Sequence, residues 1–461
     1  LSAVVLLLVG FLIAVISRFS IHYLAGDPGQ GRFTKWLSLT GGSVLTVVLS
    51  GNLLQFTLAW CATSLCLHQL LVFYPGRPGA VLAARKKFLI SRLGDGCLLG
   101  VLVLVHQTMS TWDFDEIFAI ARRWHEAGTA GPRWEVTAIC LLLVAGAMLK
   151  SAQFPFHSWL PDTMETPTPV SALMHAGIIN AGGFLVIRLQ PLLTLSPAAL
   201  WVLALFGAFT ALFASLVMLT HASVKRSLAF STVAQMGFMM LECGMGVFSL
   251  ALLHMVAHSL YKAHAFLRSG SIIALVKSGW APTEKPNAHP LTLLASFVSA
   301  GGLCAGSAWV FGVNVRQEPS QFVLVCTFGM GLGYTLWSFW SRSIAWPRVA
   351  VGTVFGAGIA MAWCAQHKVF AELFGRHDWV NSPLMSFPGV ALVAILLALF
   401  LLVLLLQTEL PQWASHPLLQ TLYVHARNGF YFNTLANRVV TWLWPLSPRP
   451  RSYDDERHAG T

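Results

Sequence analysis

The sequence predicts an all-α protein, a polytopic transmembrane bundle of about 13 helices, some of them broken. Three observations carry that expectation. Hydrophobic residues fill 56% of the 461 positions and charged residues only 10%, with positive mean hydropathy, whereas soluble domains carry about 25% charged residues. Apolar stretches close to the ~20 residues that a bilayer requires recur along the chain. Between Lys150 and Arg188, prolines fall inside this apolar background and must interrupt helices.

The apolar stretches occupy residues 1–17, 37–50, 52–74, 88–107, 136–154, 170–189, 198–219, 228–247, 249–269, 290–312, 321–340, 349–365 and 387–407. They define a transmembrane domain over residues 1–410. The intervening loop 111–135 mixes both charge signs around an amphipathic turn at 117–124; it is expected on the outer surface, without chemistry of its own. From Leu418 to Trp444 apolar and aromatic residues interleave with Arg427, Asn428, Asn433 and Arg438. Residues 411–445 are therefore expected to form an interfacial amphipathic segment, and the Pro- and charge-rich residues 446–461 a flexible tail. The chain starts at Leu1 inside an apolar run, without a methionine, which fits a start further upstream and is not read as a signal peptide.

A formal charge of +11 raises nucleic acid as a partner, but the basic residues flank apolar helices instead of forming a soluble basic face. They report topology instead. Alternate loops on one side carry 19 Lys and Arg residues, Arg18, Arg32, Lys35, Arg77, Arg85, Lys86, Lys87, Lys225, Arg226, Arg268, Lys277, Lys285, Arg342, Arg348, Arg427, Arg438, Arg449, Arg451 and Arg457, against 7 on the other, Arg122, Arg123, Arg133, Arg188, Arg316, Lys368 and Arg376. Positive charge remains inside, so the C-terminus is expected in the cytoplasm, the lipid bilayer is the surrounding partner and nucleic acid is not one. The eight cysteines are scattered through apolar segments with no C-x-x-C pair; they read as small buried hydrophobes, with no disulfide framework or metal site. No nucleotide-binding glycine loop, haem motif or flavin fingerprint is present, so no cofactor and no enzyme activity are expected in this chain.

The most informative stretch is Lys150 to Arg188, KSAQFPFHSWLPDTMETPTPVSALMHAGIINAGGFLVIR. An ammonium at membrane depth costs roughly 2.5–3.5 kcal/mol on insertion scales, so Lys150 requires a polar surrounding and a task. Pro155, Pro161, Pro167 and Pro169 break the helix, and freed backbone groups survive at that depth only inside protein or beside water. A hydrated internal cavity bordered by Lys150 and His175 predicts a proton route, against the bland reading that Lys150 reaches to the interface and His175 makes one core hydrogen bond. Asp162 and Glu165 lie in the break, where they either collect protons or cap the half-helix starting near Pro167; capping is favoured.

Further polar residues recur in apolar helices. Lys225 and Arg226 open one helix, with Ser223 placed to cap it. Glu242, near that helix's end, reads as an unpaired carboxylate. His254, His258 and Lys262 recur at i, i+4 and i+8 and line one helix face over about 12 Å. Three readings compete: a proton relay, a packed polar seam, and a metal site. The last lacks the glutamate of H-E-x-x-H and a clear third ligand.

LPDTMETPTPVSALMHAGIINAGGFLVIRL resembles the central signature of the antiporter-like membrane subunits shared by respiratory complex I and the multi-subunit sodium/proton antiporters. Its wording, with YVHARNGFYFNTLANR near the C-terminus, is similar to the membrane subunits of Dab inorganic-carbon accumulation complexes. The resemblance weakens past about residue 290. It implies an antiporter-like fold in a bacterial inner membrane and assigns a proton pathway to Lys150, His175, His254, His258, Lys262 and, ranked lower, Lys225. It further implies a cation-conducting subunit of an inorganic-carbon pump, whose zinc belongs to a soluble carbonic-anhydrase-like partner. The alternatives are a complex I or antiporter subunit and a non-transporting anchor for a soluble enzyme. Several departures matter. Where the family carries Trp-Glu, this chain has Trp60-Cys61; Ser223 stands for an aspartate; and no intramembrane lysine or glutamate follows in LTLLASFVSAGGLCAGSAWVFGV. The family's Arg-x-Gly-Asp is kept as Arg92 and Asp95. Asp95 either takes over as the carboxylate tuning Lys150 or pairs structurally with Arg92.

Overall fold

Several helices in this chain start or stop at a side-chain cap, a glycine or a proline. The computed structural model describes residues 1–269, 290–312, 319–341, 346–374, 387–409 and 416–445. Among these every extended element is helical, and the one strand-like feature is an isolated bridge between Asn52 and Asp113. The first helices are α1 (Ser2–Tyr23), α2 (Gln30–Leu49), α3 (Leu53–Leu71), α4 (Pro78–Met109), α5 (Phe114–Glu126) and α6 (Arg133–Lys150). The Asn52 side chain caps α3 by accepting from the Gln55 amide at 2.7 Å, and Asp113 caps α5. Pro78 sits in the first turn of α4, where its missing N–H costs nothing.

Past Lys150 the chain leaves the helix for turns and one four-residue helical piece, Trp159–Asp162, before α7 (Thr168–Ala176). The freed backbone is served locally: the Gln153 amide donates to Met148 O at 3.0 Å and the Phe154 amide to Thr210 Oγ1 at 3.1 Å. A second interruption was not expected. Residues 170–189 read as one helix, yet a 3₁₀ turn at Ile178–Asn180 separates α7 from α8 (Ala181–Arg188). Asn180 holds that turn, its Nδ2 donating to Ala176 O at 2.9 Å and to Ser259 Oγ at 2.7 Å.

The bundle continues with α9 (Pro197–Met218), α10 (Val224–Gly244), α11 (Phe248–Arg268), α12 (Pro290–Phe311), α13 (Pro319–Trp340), α14 (Trp346–Phe374) and α15 (Phe387–Glu409). The apolar stretches of the sequence thus fall largely on helix, with 170–189 divided between α7 and α8. Among the described residues seven spans, one of them running through α7 and α8 together, are long and apolar enough to cross a membrane by length and composition alone; α3, α10 and α11, which bury polar side chains, fall outside that set. Residues from α1 to α11 share one apolar core, and Ala300, Leu332, Leu336 and Ala360 form a smaller one among α12–α14. The α9 and α10 backbones touch: a β-carbon on Gly207 would lie 2.5 Å from Leu241 N, and one on Gly237 2.5 Å from Ala211 N.

Long-range polar ties sort the helix ends. At one end Arg188, closing α8, donates to Ser2 Oγ and to Ser50 O, and lies over Phe114 of α5. At the other, Tyr74 donates to Asp27 (2.9 Å), Arg32 to Phe73 O (2.8 Å) and Arg77 to Glu165 O (3.1 Å). Two short helices, α16 (Pro417–Arg427) and α17 (Phe432–Leu443), cross this second end. Arg85 donates there to Trp444 O and Pro445 O, and Phe432 packs on Phe154 at 4.6 Å. Residues 411–415 and the expected tail 446–461 lie outside the described residues.

One element of the topological reading is corrected. Lys86 and Lys87 were assigned to a loop, but α4 begins ten residues ahead of the apolar stretch and buries both, at 1% and 2% exposure.

Candidate functional site

Two polar clusters sit inside the bundle. In the first, Lys150 at the end of α6 donates to Ser64 Oγ on α3 at 3.1 Å, and its Nζ lies 4.3 Å from the Trp60 ring centroid. A hydrogen bond to a charged group contributes about 1.5–3 kcal/mol and a desolvated cation–π contact about 2 kcal/mol. Together they offset an insertion cost of roughly 2.5–3.5 kcal/mol. Lys87 of α4 donates to the same serine, at the Ser64 carbonyl, 2.9 Å away. Asp95 pairs with Arg92 one turn earlier at 2.5 Å. That pair is close but poorly aligned, since both Asp95 oxygens lack a hydrogen-bond partner. Asp95 stands within electrostatic range of Lys150, without direct contact.

The second cluster is built on α11 and brings together most of the remaining predicted residues. Glu242 Oε2 lies 2.9 Å from His254 Nδ1, and the rings of His254 and His258 are 6.2 Å apart between centroids. One turn on, Lys262 donates to Ser231 Oγ at 2.8 Å and to Leu228 O at 3.2 Å. His175 meets Thr232 Oγ1 at 3.1 Å and stacks on Phe266 at 4.3 Å. Both ring nitrogens of His258 and Nε2 of His175 are buried without a hydrogen-bond partner among the described residues. Buried imidazole nitrogens donate or accept according to tautomer, which suits them to water-borne proton exchange. Among the described residues no three His, Cys, Asp or Glu side chains are grouped to hold a metal ion.

Small polar residues span the gap between the clusters. Ser151, next to Lys150, donates to Ile179 O at 2.7 Å, and the adjacent Asn180 reaches Ser259, the neighbour of His258. Lys225 stands apart, donating at 3.4 Å to Thr168 Oγ1 where α7 begins.

Several local readings change. Glu242 is not unpaired, because α10 and α11 fold back as neighbours and bring His254 against it. Ser223 occupies the cap position of α10 but its side chain makes no capping bond, nor is α7 capped by Asp162 or Glu165. Asp162 turns instead to Lys86 Nζ at 2.7 Å, and the Asn433 amide joins both, accepting from Lys86 at 2.6 Å and donating to Asp162 at 3.0 Å. Sequence reasoning missed Lys86, Lys87, Ser64, Asn180 and Asn433. A signal existed for Lys87: the buried face of α4 runs Ala80, Ala83, Lys87, Ser91, Gly94, Leu98, the spacing of one helix side.

A bundle with a proline-broken helix, a buried lysine at the break and a histidine–lysine row beside it defines an antiporter-like membrane subunit. Residues 50–280 match the transmembrane family of NADH:quinone oxidoreductase and Mrp antiporters. The probable inorganic carbon transporter subunit DabB2 of Halothiobacillus neapolitanus is 40% identical over 450 residues, covering 96% of this chain and 80% of that protein. The probable inorganic carbon transporter subunit DabB of Hydrogenovibrio crunogenus is 47% identical over 271 residues, 59% of this chain and 51% of the relative, so the chain spans only about half of some relatives. In fold, the chain resembles a subunit in the Mrp complex from Dietzia sp., with TM-score 0.56 and 21% identity, covering 99% of this chain and 54% of that one. The chain therefore belongs to the NADH:quinone oxidoreductase/Mrp antiporter transmembrane family, on the branch of the DabB subunits.

Proposed function

We propose that this chain is the membrane subunit of an energy-coupled inorganic-carbon pump, and that it conducts a cation, H+, through Lys150, His175, His254, His258 and Lys262. The observation that carries the reading is the row Glu242–His254–His258–Lys262, buried except for a half-buried His254 and faced by His175, with both His258 nitrogens and His175 Nε2 left without a partner among the described residues. An imidazole accepts a proton on one ring nitrogen while donating from the other, which lets it pass H+ along the row, and the row offers mostly nitrogen groups where a hard cation is held by several oxygens. The DabB relatives carry the carbon-transport part of the proposal. Flow of H+ down its gradient drives a soluble carbonic-anhydrase-like partner to hydrate CO2 in one direction, and the zinc is the partner's. The subunit lies in a bacterial inner membrane with its C-terminus in the cytoplasm, a placement supported by Arg77, Arg85 and Arg427 at the α4-start end of the bundle.

Labelled inorganic-carbon uptake in cells lacking carbonic anhydrase tests this. The chain is expressed with its soluble partner, as wild type and as Lys150→Ala, with and without an uncoupler. Uptake abolished by both treatments, with the complex still assembled, is the expected result. Uptake indifferent to Lys150 reduces the chain to an anchor, and no uptake from the wild type returns it to the antiporter class.

A further inference from the structure

The conduction reading leaves unexplained how a proton reaches Lys150 from the end of the bundle where α4 begins. Lys150 is 6% exposed and has Ser64 Oγ as its hydrogen-bond partner. Lys87 addresses the same serine through its carbonyl. Its neighbour Lys86 points elsewhere, to the Asp162–Asn433 pair at the proline break. Adjacent residues on a helix project about 100° apart, so α4 sends one lysine to the break and the next to the interior.

We propose that Lys87 is a further proton-carrying residue, delivering H+ through Ser64 to Lys150. This rests on the conduction reading above. A swing of the flexible Lys87 stem moves its ammonium from the Ser64 carbonyl to the Ser64 hydroxyl. A proton then leaves Lys87 Nζ for Ser64 Oγ as the serine O–H proton passes to the neutral amine of Lys150. Lys87 ends as an amine, Lys150 as an ammonium, and Ser64 is unchanged.

Two features favour a carrier over a tether. A lysine fixed for structure would be expected to satisfy more than one of its three N–H donors, and among the described residues Lys87 has one hydrogen-bond partner, the Ser64 carbonyl. Its charged neighbours also include Lys150 and the Arg92–Asp95 pair. Two ammonium groups near one another in a low dielectric repel, and a hand-over in which one lysine is neutral while the other is charged avoids that repulsion.

The test is labelled inorganic-carbon uptake by the assembled complex carrying Lys87→Met, Lys87→Arg or Ser64→Ala, with Lys150→Ala as reference. Methionine fills the lysine's space without charge. Arginine keeps the charge and donors but does not release its proton. The expected result is a loss of about tenfold or more in all three variants at wild-type complex levels. Full uptake in Lys87→Arg would make Lys87 a positively charged tether and overturn the proposal, as would full uptake in Lys87→Met. Ser64→Ala, a small change that keeps the carbonyl, decides the matter if the Lys87 variants do not assemble: its full uptake overturns the hand-over. Should Lys150→Ala itself transport normally, it is the conduction reading that fails.

Discussion

Lys86 and Asn433 stand 347 positions apart in the chain and meet at 2.6 Å, with Asp162 bonded to both. Lys86 is buried while the Asp162 side chain is 21% exposed, so the pair is screened less than a surface pair and more than a fully interior one. Removing one member leaves a buried charge. Asp162→Ala is expected to lower stability by about 2–4 kcal/mol, and Asn433→Ala by about 1–2 kcal/mol. Thermal unfolding of the purified complex in detergent checks both; an unchanged midpoint in Asp162→Ala would refute the pairing.

The α9–α10 contact predicts a position-specific cost. Gly237→Ala forces a β-carbon against the Ala211 amide and should destabilise by about 1–3 kcal/mol. Gly42→Ala, on α2 with open space around it, should be neutral or slightly stabilising, since alanine favours helix by about 1 kcal/mol over glycine. Equal melting of the two variants would argue against backbone contact at Gly237.

Arg92 and Asp95 offer a way to separate structure from tuning. Arg92→Met or Asp95→Leu alone strands a charge and should cost about 3 kcal/mol, while the double substitution recovers much of that loss. If the recovered double variant assembles and transports, Asp95 serves Arg92; if it assembles and fails, Asp95 serves Lys150. Melting and uptake measured on the same samples distinguish these.

Glu242 holds His254 at 2.9 Å. Glu242→Gln retains a hydrogen-bonding group at that site but loses the negative charge, so the fold should persist while uptake falls by about tenfold. Unchanged uptake would remove His254 from the conducting row.

Much of this was legible in the sequence because the bilayer restricts what an apolar helix can tolerate. Lys150, His175, His254, His258 and Lys262 all announced themselves as polar residues in apolar runs, and α11 displays its three at helical spacing. What escaped notice depended on tertiary proximity. Serines such as Ser64 and Ser259 look like filler until a lysine or an asparagine from a distant helix arrives. Asn433 sits in a stretch whose amphipathic pattern speaks of a surface, with nothing to indicate that its amide would reach a carboxylate from the proline break. Glu242 looked solitary because its partner lies beyond the turn after α10. Lys86 and Lys87 were masked by their company: next to Arg85 they resembled a loop's positive charge, although the helical spacing from Ala80 to Leu98 passes through Lys87.

The crossing of α16 and α17 beneath the broken helix bears on the order in which the molecule is made. Lys86 and Asp162 emerge early in synthesis, and Asn433, which bonds to both, emerges only after the helices from α9 to α15 have been threaded. Until then the two charges have each other but lack the amide that bridges them. The first half of the bundle therefore waits on the last helices for its final hydrogen bonds, and a nascent chain halted before residue 433 carries the Lys86–Asp162 pair without its bridging amide.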